Sequence, residues 1–227
     1  MPLTVADVRS ELIDLSQASA TEVAAIFNSI THDVAEEVRD LLLDELPALI
    51  EDYHLSASSL AADWYDDLRE AAEVRGAFQA ITADFPDPEQ INAAIRFGVG
   101  PLFTPNPNSA DALTLLQGSV QRIMANGHRD TVRRSSIQDR RTTGWARYGN
   151  GDTCRFCRML IGRGDVYRAD TAKFGAHDHC KCVAGPVFED AEKVNGYIVS
   201  PRKPIDASGT SADAERAKEW MDANLPA

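Results

Sequence analysis

Apolar residues in the first half of the chain recur at steps of three and four, the spacing of one buried helix face. Thr4 with Asp7 at the third helical position predicts a capped first helix. Ser19 with Glu22 repeats this capping pattern and predicts that a second helix begins there. Pro47 is expected to kink or end that helix. The buried stripe predicted for the second helix is Val23, Ile26, Phe27, Ile30, Val34, Val38, Leu41 and Leu42.

Four further helical segments are predicted before residue 145. One covers residues 56–74, and the next begins after Asp87, a good N-cap residue that precedes a proline. Residues 98–109 contain two glycines and three prolines, which predicts an extended connection. Helices are then expected over 110–125 and 129–140, separated by the segment "NGH".

The pattern changes at Trp145, where glycines recur and long helical periodicity disappears. The segments "DVYRAD" and "KCVAGPVF" predict short strands. After a loop, Thr210 with Asp213 predicts the cap of a last helix. The predicted fold class is therefore mainly α: an α-helical body over 1–145, a small α+β module held together by zinc over 146–190, and a loop with a C-terminal helix over 191–227.

Charge is distributed unevenly along the chain. The formal net charge is −12, yet residues 1–100 alone have a balance of −15, and residues 101–147 have a balance of +4. Apolar runs are only a few residues long, which predicts no membrane span. The N-terminus has neither a basic leader nor an apolar signal core, so secretion is not expected. A reducing compartment is expected, and there clustered cysteines favour a metal site over disulfides.

The basic segment has several possible partners. Its arginines could contact packaged DNA, the acidic first half of the chain, an acidic partner, or only solvent. They are Arg122, Arg129, Arg133, Arg134, Arg140 and Arg141, with Arg147 close behind.

All four cysteines of the chain lie within residues 151–182, together with two of the five histidines. Cys154-x-x-Cys157 has the spacing of a zinc knuckle, in which two thiolates face one metal ion. His177-x-x-Cys180-x-Cys182 offers a second set of ligands, and His179 lies within it. A tetrahedral site needs four ligands, so the prediction is Cys154 and Cys157 plus two of the other three. Zinc suits mixed thiolate and imidazole ligands.

Other interpretations of the cluster stay open at this stage. The four cysteines could form two disulfides or remain free thiols. A filled four-ligand site would be structural, because no coordination position stays open for water. A thiol left outside the metal's ligands could instead act with a histidine as a nucleophile. His128, Ser135 and Ser136 also lie close together in sequence, although a polar helix surface is the simpler interpretation.

The order and spacing of these elements resemble the phage head morphogenesis, or minor capsid, family (Mu F-like proteins). The resemblance covers roughly residues 140–190 and rests on "GWARYGNGDTC", "CRFC", Gly162, "HDHCKC" and "VAGPVF". It implies metal ligation at Cys154, Cys157, His177, Cys180 and Cys182, with His179 ranked below them.

The same resemblance implies a function. It indicates a minor capsid protein of a tailed bacteriophage that binds portal and major capsid proteins during head assembly. The expected location is the virion, and the host cytoplasm during assembly. Similar phage proteins are described as capsid maturation proteases, which is a second hypothesis. A zinc-finger nucleic-acid-binding protein is a third, against which the acidic charge balance counts.

Overall fold

Long helices make up most of the protein in the computed structural model, which describes residues 3–31, 34–149, 153–162, 174 and 176–189. The mainly α prediction with a small α+β part is confirmed. The predicted strand "DVYRAD", the loop after residue 190 and the C-terminal helix lie outside the described residues. In chain order, the elements are α1 Val5–Ser29, α2 Ala35–Ala71, α3 Pro88–Gly98, a 3₁₀ turn Gly100–Phe103, α4 Ser109–Gln138, β1 Thr142–Tyr148, α5 Arg155–Ile161 and β2 Val183–Phe188.

Helix α1 begins at the predicted cap but does not end where a second cap was expected. The Thr4 side chain accepts a hydrogen bond from the Asp7 amide, and the Asp7 carboxylate accepts one from the Thr4 amide. Ser19 lies inside the helix, where its hydroxyl donates to the carbonyl of Ser16. A serine whose hydroxyl donates to a carbonyl of the preceding turn can lie in the interior of a helix. The prediction that a second helix begins at Ser19 was therefore wrong.

Helix α2 continues through Pro47, which was predicted to kink or end it. Leu42 and Leu46 before the proline and Ile50 after it are all fully buried in one core. This packing offsets the cost of an interior proline, which is about 3 kcal/mol. The segment predicted as a separate helix over 56–74 is the second half of α2.

Helix α4 likewise joins two predicted helices and includes the "NGH" segment. A Cβ atom on Gly127 would lie 2.6 Å from the carbonyl oxygen of His54 in α2. Glycine therefore marks a close approach of α2 and α4 here and does not end the helix. The start of α3 agrees with prediction, because the Asp87 side chain accepts from the Glu89 amide.

Two apolar cores lie along this helical frame, and α2 and α4 contribute to both. One core joins the second half of α1 and the first half of α2 to α3 and the start of α4, with Val23, Leu42 and Ile95 at its centre. The other contains the start of α1, the end of α2, the middle of α4 and both strands.

The cysteine-containing part shares the second of these cores. β1 and β2 form an antiparallel pair in which Trp145 lies opposite Pro186. Cys157 and Cys182 are buried in the same core as Trp64 of α2. The predicted boundary between residues 145 and 146 falls within β1. The apolar surface of this part is thus buried against the helices, which places its cysteines beside α4.

None of the described helices combines the length and the apolar character that a membrane crossing requires.

Candidate metal centre

The first pair of cysteines lies at the start of α5. Cys154 is the N-cap residue of that helix, and its Sγ accepts a hydrogen bond from the Cys157 amide at 3.4 Å. One helical turn separates the two residues, so both thiols face the same side. Cys154 is exposed and Cys157 is buried, so the pair leads from the surface into the core.

The second set of potential ligands lies in a tight turn before β2. The Cys180 amide donates to the carbonyl of His177 at 3.2 Å, which closes the turn. His179 at the third position of the turn has a φ of +60°, the left-handed conformation found at the third residue of type II turns. The turn brings His177 and Cys180 back towards α5.

The turn and the Cys154–Cys157 pair meet in a compact group of sulfur and nitrogen atoms. His177 Nε2 lies 3.1 Å from Cys154 Sγ and 3.9 Å from Cys157 Sγ. Cys157 Sγ lies 3.7 Å from Cys180 Sγ. Two triads result, Cys154–Cys157–His177 and Cys157–Cys180–Cys182, each with its ligand atoms within 4.8 Å of one another. Cys157 belongs to both triads and is the centre of the cluster.

These distances suit a metal ion. A tetrahedral zinc ion with Zn–S bonds of about 2.3 Å places two thiolate sulfurs about 3.8 Å apart. The observed separation of the Cys157 and Cys180 sulfurs is 3.7 Å. The two triads can therefore hold a metal ion, and Cys157 is the ligand that they share.

The hydrogen bonding of His177 also suits ligation. Its Nδ1 lies 2.7 Å from the carbonyl oxygen of Asp178. Because a carbonyl oxygen only accepts, Nδ1 donates the proton of this hydrogen bond, and Nε2 is the ring nitrogen that faces the thiols. A metal-binding histidine is commonly oriented in this way by a backbone carbonyl.

The thiols differ in how readily they ionise. Burial tends to raise the pKa of Cys154, but hydrogen bonds from the Cys157 amide and with His177 outweigh it and lower the pKa overall. Hydrogen bonds with Cys157 and Cys182 lower the pKa of Cys180, and the charge of Arg129 adds to this effect. The corresponding bonds with Cys180 and Cys182 raise the pKa of Cys157. Thiolates are the form that binds metal.

Side chains from α1 and α4 hold the turn in place. Arg9 donates to the carbonyl of Lys181 at 3.1 Å, and Arg122 pairs with Asp178 at 2.7 Å. His179 Nδ1 lies 2.7 Å from Gln121 Oε1, so this ring is held by α4 and lies outside both triads. The lower rank of His179 among the predicted ligands agrees with this position.

The turn also packs closely against Gly118 of α4. A Cβ atom there would lie 3.0 Å from both the Asp178 Cβ and the His179 Nε2. The spacing of the cysteines predicted the ligands but could not predict Gly118, Gln121 or Arg9 as contacts of the turn. No local signal in the sequence connects residues so distant along the chain.

The arginines of the basic segment differ in burial and in their partners. Arg129 is only 1% exposed, so it cannot reach DNA phosphates, and its inclusion in that patch was wrong. Three of its neighbours are engaged in ion pairs: Arg122 with Asp178, Arg133 with Asp130 and Arg134 with Asp84. Arg140 and Arg141 are exposed, and Arg141 lies 3.9 Å from Glu189.

The polar residues near the end of α4 are also interior. His128 and Ser135 are fully buried and Ser136 is nearly so. The Ser135 hydroxyl accepts a hydrogen bond from the Ile81 amide. These three residues therefore do not form an accessible nucleophilic site.

Fold and cluster together define a helical protein with a Cys/His centre able to hold a metal ion. The chain belongs to the VG15 protein family, a family of phage proteins, whose model matches residues 3–202. It is therefore a phage protein. No curated protein and no solved structure matches the chain significantly.

Proposed function

We propose that this protein is a minor capsid, or head morphogenesis, protein of a tailed bacteriophage. It acts by binding portal and major capsid proteins while the head assembles, and it ends up in the virion. Membership of a phage protein family supports the origin. The resemblance of residues 140–190 to the head morphogenesis family supports the particular role.

The observation that carries the proposal is the position of the Cys/His cluster. Cys157 and Cys182 are buried in the same core as Trp64, and the turn that contains His177 and Cys180 is fixed to α4. Four protein ligands would leave a metal ion no open coordination position for a substrate. A centre built in this way stabilises a surface for binding.

The metal in this proposal is zinc. Any four ligands drawn from Cys154, Cys157, His177, Cys180 and Cys182 include at least three thiolates, and soft thiolate ligands with one imidazole select zinc. Zinc would supply no redox chemistry here and would act by closing the loop between α5 and β2.

The outer surface of the helical body offers a place for partners. The exposed side chains of α2 include Glu36, Glu37 and Asp40, which make that surface acidic. Large apolar side chains are also exposed, with Phe97 at 60% and Phe103 at 45%, and Arg39 of α2 lies over the Phe103 ring at 5.7 Å. Apolar side chains among charged ones are typical of surfaces that bind other proteins.

The test is co-expression of the full chain with the portal protein of the same phage and, separately, with its major capsid protein. Each mixture is treated with nuclease and separated by size-exclusion chromatography. We expect a complex with the portal protein that survives nuclease, and an intact major capsid protein.

Three outcomes would contradict the proposal. Specific cleavage of the major capsid protein would favour a capsid maturation protease. Association that disappears after nuclease treatment would favour a nucleic-acid-binding protein. No association with either protein, together with its absence from purified virions by mass spectrometry, would exclude the assembly role.

A further inference from the structure

Arg129 is a charged side chain in the interior of the protein. It lies in α4, is only 1% exposed, and is one of the largest fully buried side chains among the described residues. A buried guanidinium without an opposite charge is strongly unfavourable, because water no longer solvates it. A physical reason for its presence must therefore lie among its neighbours.

Among the described residues, the hydrogen bonds of Arg129 go to neutral oxygens. Its Nε and Nη2 donate to the carbonyl of Cys182 at 3.1 and 3.0 Å, and Nη2 also donates to the carbonyl of Cys180 at 2.7 Å. Its Nη1 donates to Asn126 Oδ1 at 3.1 Å. Within the described part of the chain, no carboxylate forms an ion pair with Arg129.

The groups that do act on its charge are the cysteines of the cluster. Burial lowers the pKa of Arg129, the charges of Cys180, Cys182 and Cys157 act in the opposite direction, and the charge of Arg147 adds to the lowering. Arg129 also lies over the ring of Phe174 at 4.8 Å, on which Arg147 stacks at 3.7 Å. Arg147 Nη1 is 3.6 Å from Cys157 Sγ. Two guanidinium groups therefore lie beside the sulfur atoms.

The charge of a filled centre follows from its ligands. Any four of the five clustered residues include at least three cysteines, since His177 is the one histidine in either triad. A divalent ion with three thiolates and a neutral imidazole has a net charge of −1, and one with four thiolates has −2. The anion missing from the surroundings of Arg129 is thus the metal centre itself.

We infer that Arg129 is the buried counter-cation of this metal–thiolate centre and positions its second ligand pair. Its charge stabilises the anionic centre, and its hydrogen bonds fix the backbone of Cys180 and Cys182. Outer-sphere groups of this kind change metal affinity by about 10–100-fold when removed. The inference rests on the metal centre of the proposed function.

The test measures zinc affinity of the full chain by competition with a chromophoric chelator at constant pH and salt. Arg129→Met keeps a side chain of similar length and removes the charge. Arg129→Lys keeps the charge but lacks the planar guanidinium group with its several N–H donors. We expect zinc affinity to fall about 10–100-fold in Arg129→Met and by clearly less in Arg129→Lys. Arg133→Met, one turn further along α4 and partly exposed, is the matched control and should stay within about twofold of wild type.

Cobalt substitution gives a second readout. Wild type and Arg129→Lys should show sulfur-to-cobalt charge-transfer absorption of equal intensity, since both keep the same thiolate ligands. Equal zinc affinity of Arg129→Met and wild type would overturn the inference. So would a folded Arg129→Lys that loses as much affinity as Arg129→Met, because charge would then not matter. Absence of metal binding in the wild type would instead overturn the metal centre itself.

Discussion

Arg69 near the end of α2 and Asp139 at the end of α4 form an ion pair with an Nε–Oδ2 distance of 2.8 Å. Both side chains are buried, with exposed fractions of 9% and 2%. The Asp139 carboxylate also accepts from Tyr65 and from the Arg141 amide. The pair therefore ties the last turn of α2 to the point where the chain leaves α4 and enters β1.

Asp139→Ala should lower the free energy of unfolding by about 3–5 kcal/mol, because it leaves the Arg69 charge buried without a partner. Urea denaturation followed by circular dichroism measures this. Glu89→Ala, which breaks the exposed pair with Arg96, is the control and should cost about 1 kcal/mol or less. A loss below 1 kcal/mol in Asp139→Ala would show that the buried pair contributes little.

His177 and His179 provide a matched test of the ligand assignment. His177→Asn should reduce bound zinc strongly, because its Nε2 faces Cys154 and Cys157. His179→Asn should keep about one zinc per chain, since this ring contacts Gln121 and asparagine tolerates the positive φ. Zinc is measured by mass spectrometry of protein purified under reducing conditions. The reverse order of zinc loss in the two variants would refute the assignment.

Gly127→Ala should destabilise the protein by about 1–3 kcal/mol, because the added Cβ would lie 2.6 Å from the His54 carbonyl oxygen and 2.7 Å from Ser58 Oγ. Thermal unfolding measures the change. Gly162→Ala is the control, since φ there is −63° and the nearest atoms to a Cβ lie at 3.5 Å. Its effect should be within about 0.5 kcal/mol. Equal effects of the two substitutions would argue against a close approach of α2 and α4.

His128 should make stability depend on pH in mildly acidic solution. Burial, with a smaller contribution from the charge of Arg129, lowers the pKa of His128 to about 3. Between pH 6.5 and 3 the unfolded chain takes up a proton at this residue and the folded protein does not. The contribution of His128 to the free energy of unfolding is therefore fully present above pH 6.5. Below that value the free energy of unfolding falls by about 1.4 kcal/mol per pH unit as the pH decreases.

His128→Leu measures this contribution by comparison. Acid also protonates the cysteine and histidine ligands, so wild type and variant are unfolded by urea side by side at pH 5, 6, 7 and 8. The wild type should lose about 2 kcal/mol more than the variant between pH 7 and 5. Parallel curves for the two proteins would show that His128 does not titrate in this way.

Local capping residues predicted the start of a helix correctly where no packing or backbone contact acted against the local preference. Thr4 and Asp87 cap α1 and α3 as expected. Ser19, Pro47 and Gly127 were each interpreted as helix boundaries and lie inside helices instead. In all three cases, packing against another helix or a bond to the preceding turn outweighs the local preference, which is about 1 kcal/mol for glycine, about 3 kcal/mol for proline and smaller for serine. Such contacts join residues that are far apart in sequence and cannot be predicted from a local pattern.

The sequence by itself determined the helical body and the five clustered residues Cys154, Cys157, His177, Cys180 and Cys182, because helix periodicity and ligand spacing are local properties. The tertiary structure decided how these parts are joined. It showed that α4 passes beside the cysteines, that Gly118 leaves room for their turn, and that Arg129 lies inside and not on a basic surface. Burial and charge compensation depend on which chain segments meet in space, and that is settled only when the helices pack.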